Sequence, residues 1–175
     1  LIWGVVDKTI YALPGAIMYL GSGWLTNLSG LNMSSDNFVY SGSSGQDTLN
    51  LNFDRATYTR GIAINAGAGD DSLLSAKLIN TDQISLGAGN DTIAIMVGSV
   101  GSLNLALLDG GSGTDTLGFE ESTISTGQTL TLTTGGAVNF ENLKGSSANE
   151  TLQGDNGDNV LTGLGGTDTL TGGAG

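Results

Sequence analysis

The chain contains no cysteine and no histidine, a single proline, and five basic residues in 175. Without thiols or imidazoles, a disulfide framework, a structural zinc site and histidine-based general base catalysis are all closed to it. Seventeen acidic residues against those five cations leave a formal net charge of −12. Nucleic acids and anionic membrane surfaces are therefore poor partners. The acids have too few counter-charges within the chain, so the missing complement is a cation. Long apolar runs are scarce as well. The uncharged stretch 9–35 is broken by Pro14, Asn27, Asn32 and four glycines. No window of about 20 residues in it reads as a transmembrane helix. The basic flank and short apolar block of a signal peptide are also missing from the N-terminus. The chain opens on Leu1 and stops part-way into a repeat at "GGAG", and it is read as a segment of a longer protein.

What the chain has in excess is glycine, thirty residues of it, without a collagen period and without apolar heptads. The glycines hold fixed offsets from an acid and an aliphatic residue. Seven complete nine-residue copies align: "GSSGQDTLN" from Gly42, "AGAGDDSLL" from Ala66, "LGAGNDTIA" from Leu86, "GGSGTDTLG" from Gly110, then "GSSANETLQ" from Gly145, "GDNGDNVLT" from Gly154 and "GLGGTDTLT" from Gly163. The fourth position is Gly45, Gly69, Gly89, Gly113, Gly157 or Gly166, with Ala148 the exception. The sixth is Asp47, Asp71, Asp91, Asp115, Glu150, Asn159 or Asp168, and the eighth is always Leu or Ile. Gly-x-Asp-x-Leu/Ile occurs five times, against about 0.4 times expected from composition alone. Such offsets are stereochemical. Glycine lets several carbonyls of one short turn aim at a point, the acid adds charge there, and the aliphatic residue two positions on points inward.

The first four acids lie 24, 20 and 24 residues apart, and strands fill the gaps. "TLNLNF", "GIAINA", "TIAIMV", "SLNLALL" and "TLTLTT" alternate with period two. Between them sit plain polar turns, "DRATYTR", "NTDQ", "GSVG" and "STGQ". Each coil reads as acid turn, strand, plain turn, strand, which stacks the acid turns along one edge of a flattened solenoid. "TGGAVN" at 134–139 reads as a worn loop on that edge, without an aspartate. From Gly145 the coils shorten to two nonapeptides, so the loops alternate edges. That places Glu150 near Asp168 and Asn159 on the opposite edge. The expected fold is all-β, a parallel β-roll or β-helix solenoid with cation-binding turns. Three regions follow: N-terminal coils, cap or junction at 1–40, long coils at 41–144, and contiguous nonapeptides at 145–175.

The repeat resembles the RTX nonapeptide, Gly-Gly-x-Gly-x-Asp-x-U-x, of calcium-binding β-rolls. The resemblance runs from Gly42 to the end, about three quarters of the chain. It implies several calcium ions between stacked turns, held by the side chains of Asp47, Asp71, Asp91, Asp115, Asp168 and Glu150. Turn backbone at Gly42, Gly45, Gly67, Gly69, Gly87, Gly89, Gly111, Gly113 and Gly166 would complete the sites. Two departures stand out. Glu150 and Asn159 replace the aspartate, and the first four copies are not contiguous. Calcium takes six to eight oxygens at roughly 2.3–2.6 Å, carboxylate and carbonyl alike. Stacked coils bring equivalent carboxylates to about 5 Å, where two bare charges repel by about 3 kcal/mol at an effective dielectric near 20. Ions between coils reverse that repulsion. Sites of roughly 10⁻⁴ to 10⁻³ M would fill in extracellular calcium and stay empty in cytosol, so the chain is expected outside the cell.

The remaining residues carry less. Asp36, Asp54 and Asp82 fall outside the pattern and are expected in solvent. Arg55, Arg60, Lys77 and Lys144 read as scattered surface charges. Trp3, Tyr11, Tyr19 and Trp24 are expected to cap the open end of the core rather than to line a sugar site. Neither Gly-x-Ser-x-Gly nor His-Glu-x-x-His occurs, and no enzyme is expected. Three functions compete. The resemblance is nearest to the RTX regions of bacterial surface-layer proteins and large adhesins. It implies a secreted, cell-surface structural segment that self-associates or joins flanking domains, with type I secretion and glycan or cell-surface contact. The second is the accessory calcium-folded tail of a secreted protease, lipase or polysaccharide epimerase. The third is catalysis within the β-helix, as in calcium-dependent pectate lyases. Spaced single repeats with long strands favour the first.

Overall fold

Every strand pairing in the structure, a computed structural model describing residues 17–19, 25–27, 38–42, 44–50, 61–96, 103–120 and 128–175, is parallel. The strands are β1 (Ile17–Tyr19), β2 (Leu25–Asn27), β3 (Phe38–Ser41), β4 (Thr48–Asn50), β5 (Ile62–Ala68), β6 (Ser72–Ala76), β7 (Gln83–Ala88) and β8 (Thr92–Ile95). They continue as β9 (Leu108–Ser112), β10 (Thr116–Phe119), β11 (Gln128–Thr131), β12 (Asn142–Ser146), β13 (Glu150–Gln153), β14 (Val160–Leu164) and β15 (Thr169–Thr171). Odd strands β1-β3-β5-β7-β9 form one sheet, and β14-β12-β10-β8-β6-β4-β2 form the facing one. A third sheet, β11-β13-β15, serves the C-terminal coils. This is the expected all-β parallel solenoid, of about five turns.

Register places the aliphatic residue of each repeat over its counterpart in the next coil. Leu49, Leu73, Ile93, Leu117, Leu143 and Leu161 form one column in the even sheet. Tyr40, Ile64, Ile84 and Leu108 form another in the odd sheet, and Leu130, Leu152 and Leu170 a third. All but Leu161 and Leu170 are buried. At roughly 1.5–3 kcal/mol for each fully buried aliphatic side chain, these columns set the register that stacks the turns.

Three expectations need correction or limits. "SLNLALL" is not a continuous strand. Leu105–Leu107 form a 3₁₀ turn closed by Leu107 N–H donating to the Asn104 carbonyl at 3.1 Å. Leu103 and Leu105 still pack on the core, so alternation persists without a ladder. "TLTLTT" does supply a strand, β11, but it opens the third sheet and pairs with β13. Asp82 is not solvated. It is fully buried, and its carboxylate accepts from Ile62 N–H at 2.9 Å and Ile79 N–H at 2.7 Å, locking the plain turn to the coil before it. Asp36, Asp54, Arg55, Arg60, Trp3, Tyr11 and Trp24 lie outside the described residues, as do the turns "DRATYTR" and "GSVG". Among the described residues no helix is long and apolar enough to cross a membrane.

Candidate metal centre

Each of the first four acid turns joins an odd strand to an even one, and its conformation depends on glycine. Gly87 and Gly111 have φ of 110° and 103°, and Gly89 and Gly113 have φ of 150° and 141°. L side chains rarely adopt these values. A Cβ on Gly111 would also collide with the Gly87 carbonyl, and one on Gly113 with the Gly89 carbonyl. Two glycine columns therefore allow backbone to stack directly on backbone. Gly67, Gly69 and Gly166 share the positive φ. Gly42 and Gly45 face the second turn, at Ala66 and Gly69.

The same stacking brings the acids into a row. Asp47, Asp71, Asp91 and Asp115 are each at most 1% exposed. Asp47 N–H donates to Asp71 Oδ1 at 2.6 Å, Asp71 N–H to Asp91 Oδ1 at 2.6 Å, and Asp91 N–H to Asp115 Oδ1 at 2.7 Å. One oxygen of Asp71, Asp91 and Asp115 is thus committed to the preceding coil. Among the described residues, the other oxygen (Oδ2) of Asp71, Asp91 and Asp115 is buried without a hydrogen-bond partner. A buried, unsatisfied carboxylate oxygen is costly. Burial, followed by charges along the row, raises the Asp71 carboxyl to about 7, against the bond from the Asp47 amide. Burial dominates at Asp91 as well, and takes Asp115 to about 6 with help from Asp91, Glu141 and Asp109. Tyr40, buried at the start of the row, has its phenol held above the usual value by burial and then by the Asp47 carboxylate.

Over the first glycine of a repeat, the acid meets a carbonyl from the following coil. A Cβ on Gly42 would lie 2.8 Å from Asp47 Oδ2 and collide with the Ala66 carbonyl. On Gly145 it would lie 2.9 Å from Glu150 Oε2 and 2.6 Å from the Gly163 carbonyl. Only glycine leaves that space open. No three carboxylates gather at one point among the described residues, so a bound ion must draw on backbone carbonyls for its remaining ligands. The donor set fits a hard cation such as calcium, which accepts that mixture of oxygens.

The shortened coils carry the second edge. Glu150 is 3% exposed, its amide donates to Asp168 Oδ1 at 2.9 Å, and its carboxylate accepts from Ser146 N–H at 3.0 Å and from the Ser146 hydroxyl. Asn159 lies on the first edge, following Glu141, as the Asn142–Val160 pairing requires. The neutral Asn159 Oδ1 accepts from Asp155 N–H at 2.9 Å.

Sequence reasoning missed two features. The worn loop carries an acid after all: Glu141 Oε2 accepts from Asp115 N–H at 2.7 Å, the bond that aspartate makes elsewhere in the row. The signal was present, because Glu141 stands two residues before Leu143 as each aspartate stands before its aliphatic residue. The loop is three residues shorter than its predecessor, which hid the match. The second feature is an exposed ladder at the fifth repeat position. Asn90 N–H donates to Asp70 Oδ1 at 2.8 Å, Thr114 N–H to Asn90 Oδ1 at 2.9 Å, and Thr167 N–H to Asn149 Oδ1 at 2.7 Å.

Parallel coils and glycine turns, most of them with one inward acid, form a parallel β-solenoid consistent with a β-roll. The family model for the RTX calcium-binding nonapeptide repeat (4 copies) matches residues 80–94 and 144–175. Asp91, Glu150 and Asp168 fall within those spans, and Asp47, Asp71 and Asp115 outside them. No curated protein and no solved structure matches the chain. Repeats of this kind bind calcium in a structural rather than catalytic capacity.

Proposed function

We propose that the chain is a calcium-folded structural segment of a secreted bacterial cell-surface protein, of the surface-layer or adhesin type. Calcium ions between stacked turns drive its folding and assembly. The observation that carries this reading is the buried row Asp71, Asp91 and Asp115, each with one carboxylate oxygen left without a partner among the described residues. Ionised, such a row lacks a counter-charge within the chain, and calcium would supply it. Asp47, Glu150 and Asp168 are assigned the same role, with the turn carbonyls completing each site. Extracellular calcium is millimolar, which suits sites of about 10⁻⁴ to 10⁻³ M.

A second reading, the non-catalytic tail of a secreted enzyme, is favoured by one observation. The longest family match lies on the contiguous nonapeptides at 144–175. Sedimentation velocity in millimolar calcium and in chelator separates the two. The structural reading expects calcium-promoted association of the segment, and a monomer at every calcium concentration would turn the choice toward the tail. Turnover of a polyuronate, abolished by an acid-to-Ala change that still folds with calcium, would contradict both.

A further inference from the structure

The row of full repeats ends at Asp115, yet the geometry continues for one more coil. Asp115 is completely buried, and its Oδ2 has no hydrogen-bond partner among the described residues. A Cβ built on Gly110 would lie 2.9 Å from that oxygen and collide with the carbonyl of Asn139. The same pairing, an acid oxygen with a carbonyl of the following coil, stands over Gly42 and Gly145. Here the carbonyl comes from the short loop 139–141, which contains no repeat glycine and lies outside the family match.

Two contacts hold that loop in place. Asn139 has φ of 55°, in the left-handed region that Asn tolerates better than most residues. Its Nδ2 donates to Asp109 Oδ1 at 2.8 Å, which fixes the residue and the direction of its carbonyl. Glu141 then places Oε2 on Asp115 N–H at 2.7 Å. The loop has lost three residues relative to 110–115, and the extra methylene of glutamate keeps a carboxylate within reach of the row.

We propose that a further divalent-cation site lies between the coil of Asp115 and the short loop 139–141, walled by Asp115 Oδ2, the Asn139 carbonyl and the Glu141 carboxylate. Asp109 is its positioning residue, acting through Asn139. The proposal rests on the calcium reading of the row and adds a site that the repeat motif does not mark. It makes the first edge one ion longer than its aspartates indicate.

The test is ion counting on the whole chain by isothermal titration calorimetry with calcium. Glu141→Gln keeps the hydrogen-bond acceptor and removes the charge, and it is expected to bind one ion fewer than the unaltered chain. Glu141→Asp should keep the ion count with weaker affinity for one ion. An independent measurement needs no variant. Crystals of the unaltered chain grown with terbium should show an anomalous peak between Asp115 and Asn139 as well as between Asp71 and Asp91. An unchanged count in Glu141→Gln overturns the site, and so does a terbium map with the second peak and not the first. If Glu141→Gln fails to fold, the terbium map alone decides. An unaltered chain that binds no calcium at all would remove the underlying reading of the row, and this site with it.

Discussion

Replacing Asp91 with Asn should change the sign of its effect with calcium. Asn can keep the acceptor that receives Asp71 N–H at 2.6 Å, so the coil-to-coil bond survives. What disappears is one buried charge between two others, Asp71 and Asp115. Each such neighbour at about 5 Å opposes the charge by about 3 kcal/mol near a dielectric of 20. Burial already pushes Asp71 up to about 7 and Asp115 up to about 6, so at neutral pH protons take up much of this repulsion. The relief left for Asp91→Asn in chelator is then about 1 kcal/mol, after the orphaned amide N–H₂ is set against it. In calcium the outcome reverses. At a hundredfold excess over the dissociation constant each ion adds about 2.7 kcal/mol, and Asp91 borders two gaps between coils. Loss of both would cost about 5 kcal/mol, whereas loss of the one gap that Asp168 shares with Glu150 on the second edge would cost about half of that. Urea unfolding in calcium reads the loss, and the residual β signal in chelator reads the relief. If Asp91→Asn destabilises the fold equally in chelator and in calcium, the carboxylate is only a hydrogen-bond acceptor and the argument fails.

Gly87→Ala should destabilise the calcium-loaded fold by about 3 kcal/mol, the sum of a positive-φ penalty and the backbone shift that its methyl forces against Gly67; a melting temperature unchanged in calcium would contradict the stacked-turn geometry. Asp82→Ala leaves Ile62 N–H and Ile79 N–H without their carboxylate and should cost about 2–4 kcal/mol. The number of calcium ions bound should be unchanged, and the loss of an ion would place Asp82 in the cation network. The pH dependence should also invert. In chelator, the raised values of Asp71 and Asp115 mean that stability is fully present below the unfolded carboxylate value near 4 and is lost as pH rises through 6 to 7, and the upward shift of Asp91 acts in the same direction. Calcium affinity should instead fall as pH drops below about 7, because protons compete for the same oxygens; a pH-independent calcium titration between 5 and 8 would refute this.

The solenoid was legible because its two periods are written in different residues. Period-two alternation marked "GIAINA" and "TIAIMV" as strands, and the fixed Asp-to-Leu offset stacked Leu49, Leu73, Ile93 and Leu117 in the register observed. What escaped was decided by contacts between coils. Alternation continues through Leu103 and Leu105, but a turn bond at Asn104 removes that stretch from the ladder. Asp82 has an ordinary turn sequence around it, and only the approach of Ile62 N–H from the preceding coil makes it a buried residue. Glu141 was hidden because motif matching needs constant loop length. The chain dropped three loop residues and kept the acid in place with a longer side chain.

The central claim, that calcium resolves the buried acid row and thereby folds the chain, is tested most directly by far-UV circular dichroism through a calcium titration from chelator. The β signal should be weak or absent in chelator at pH 7.5 and return cooperatively as calcium approaches the millimolar range, with magnesium far less effective because it demands near-ideal octahedral geometry. A full β spectrum in excess chelator, unchanged on adding calcium, would contradict the claim.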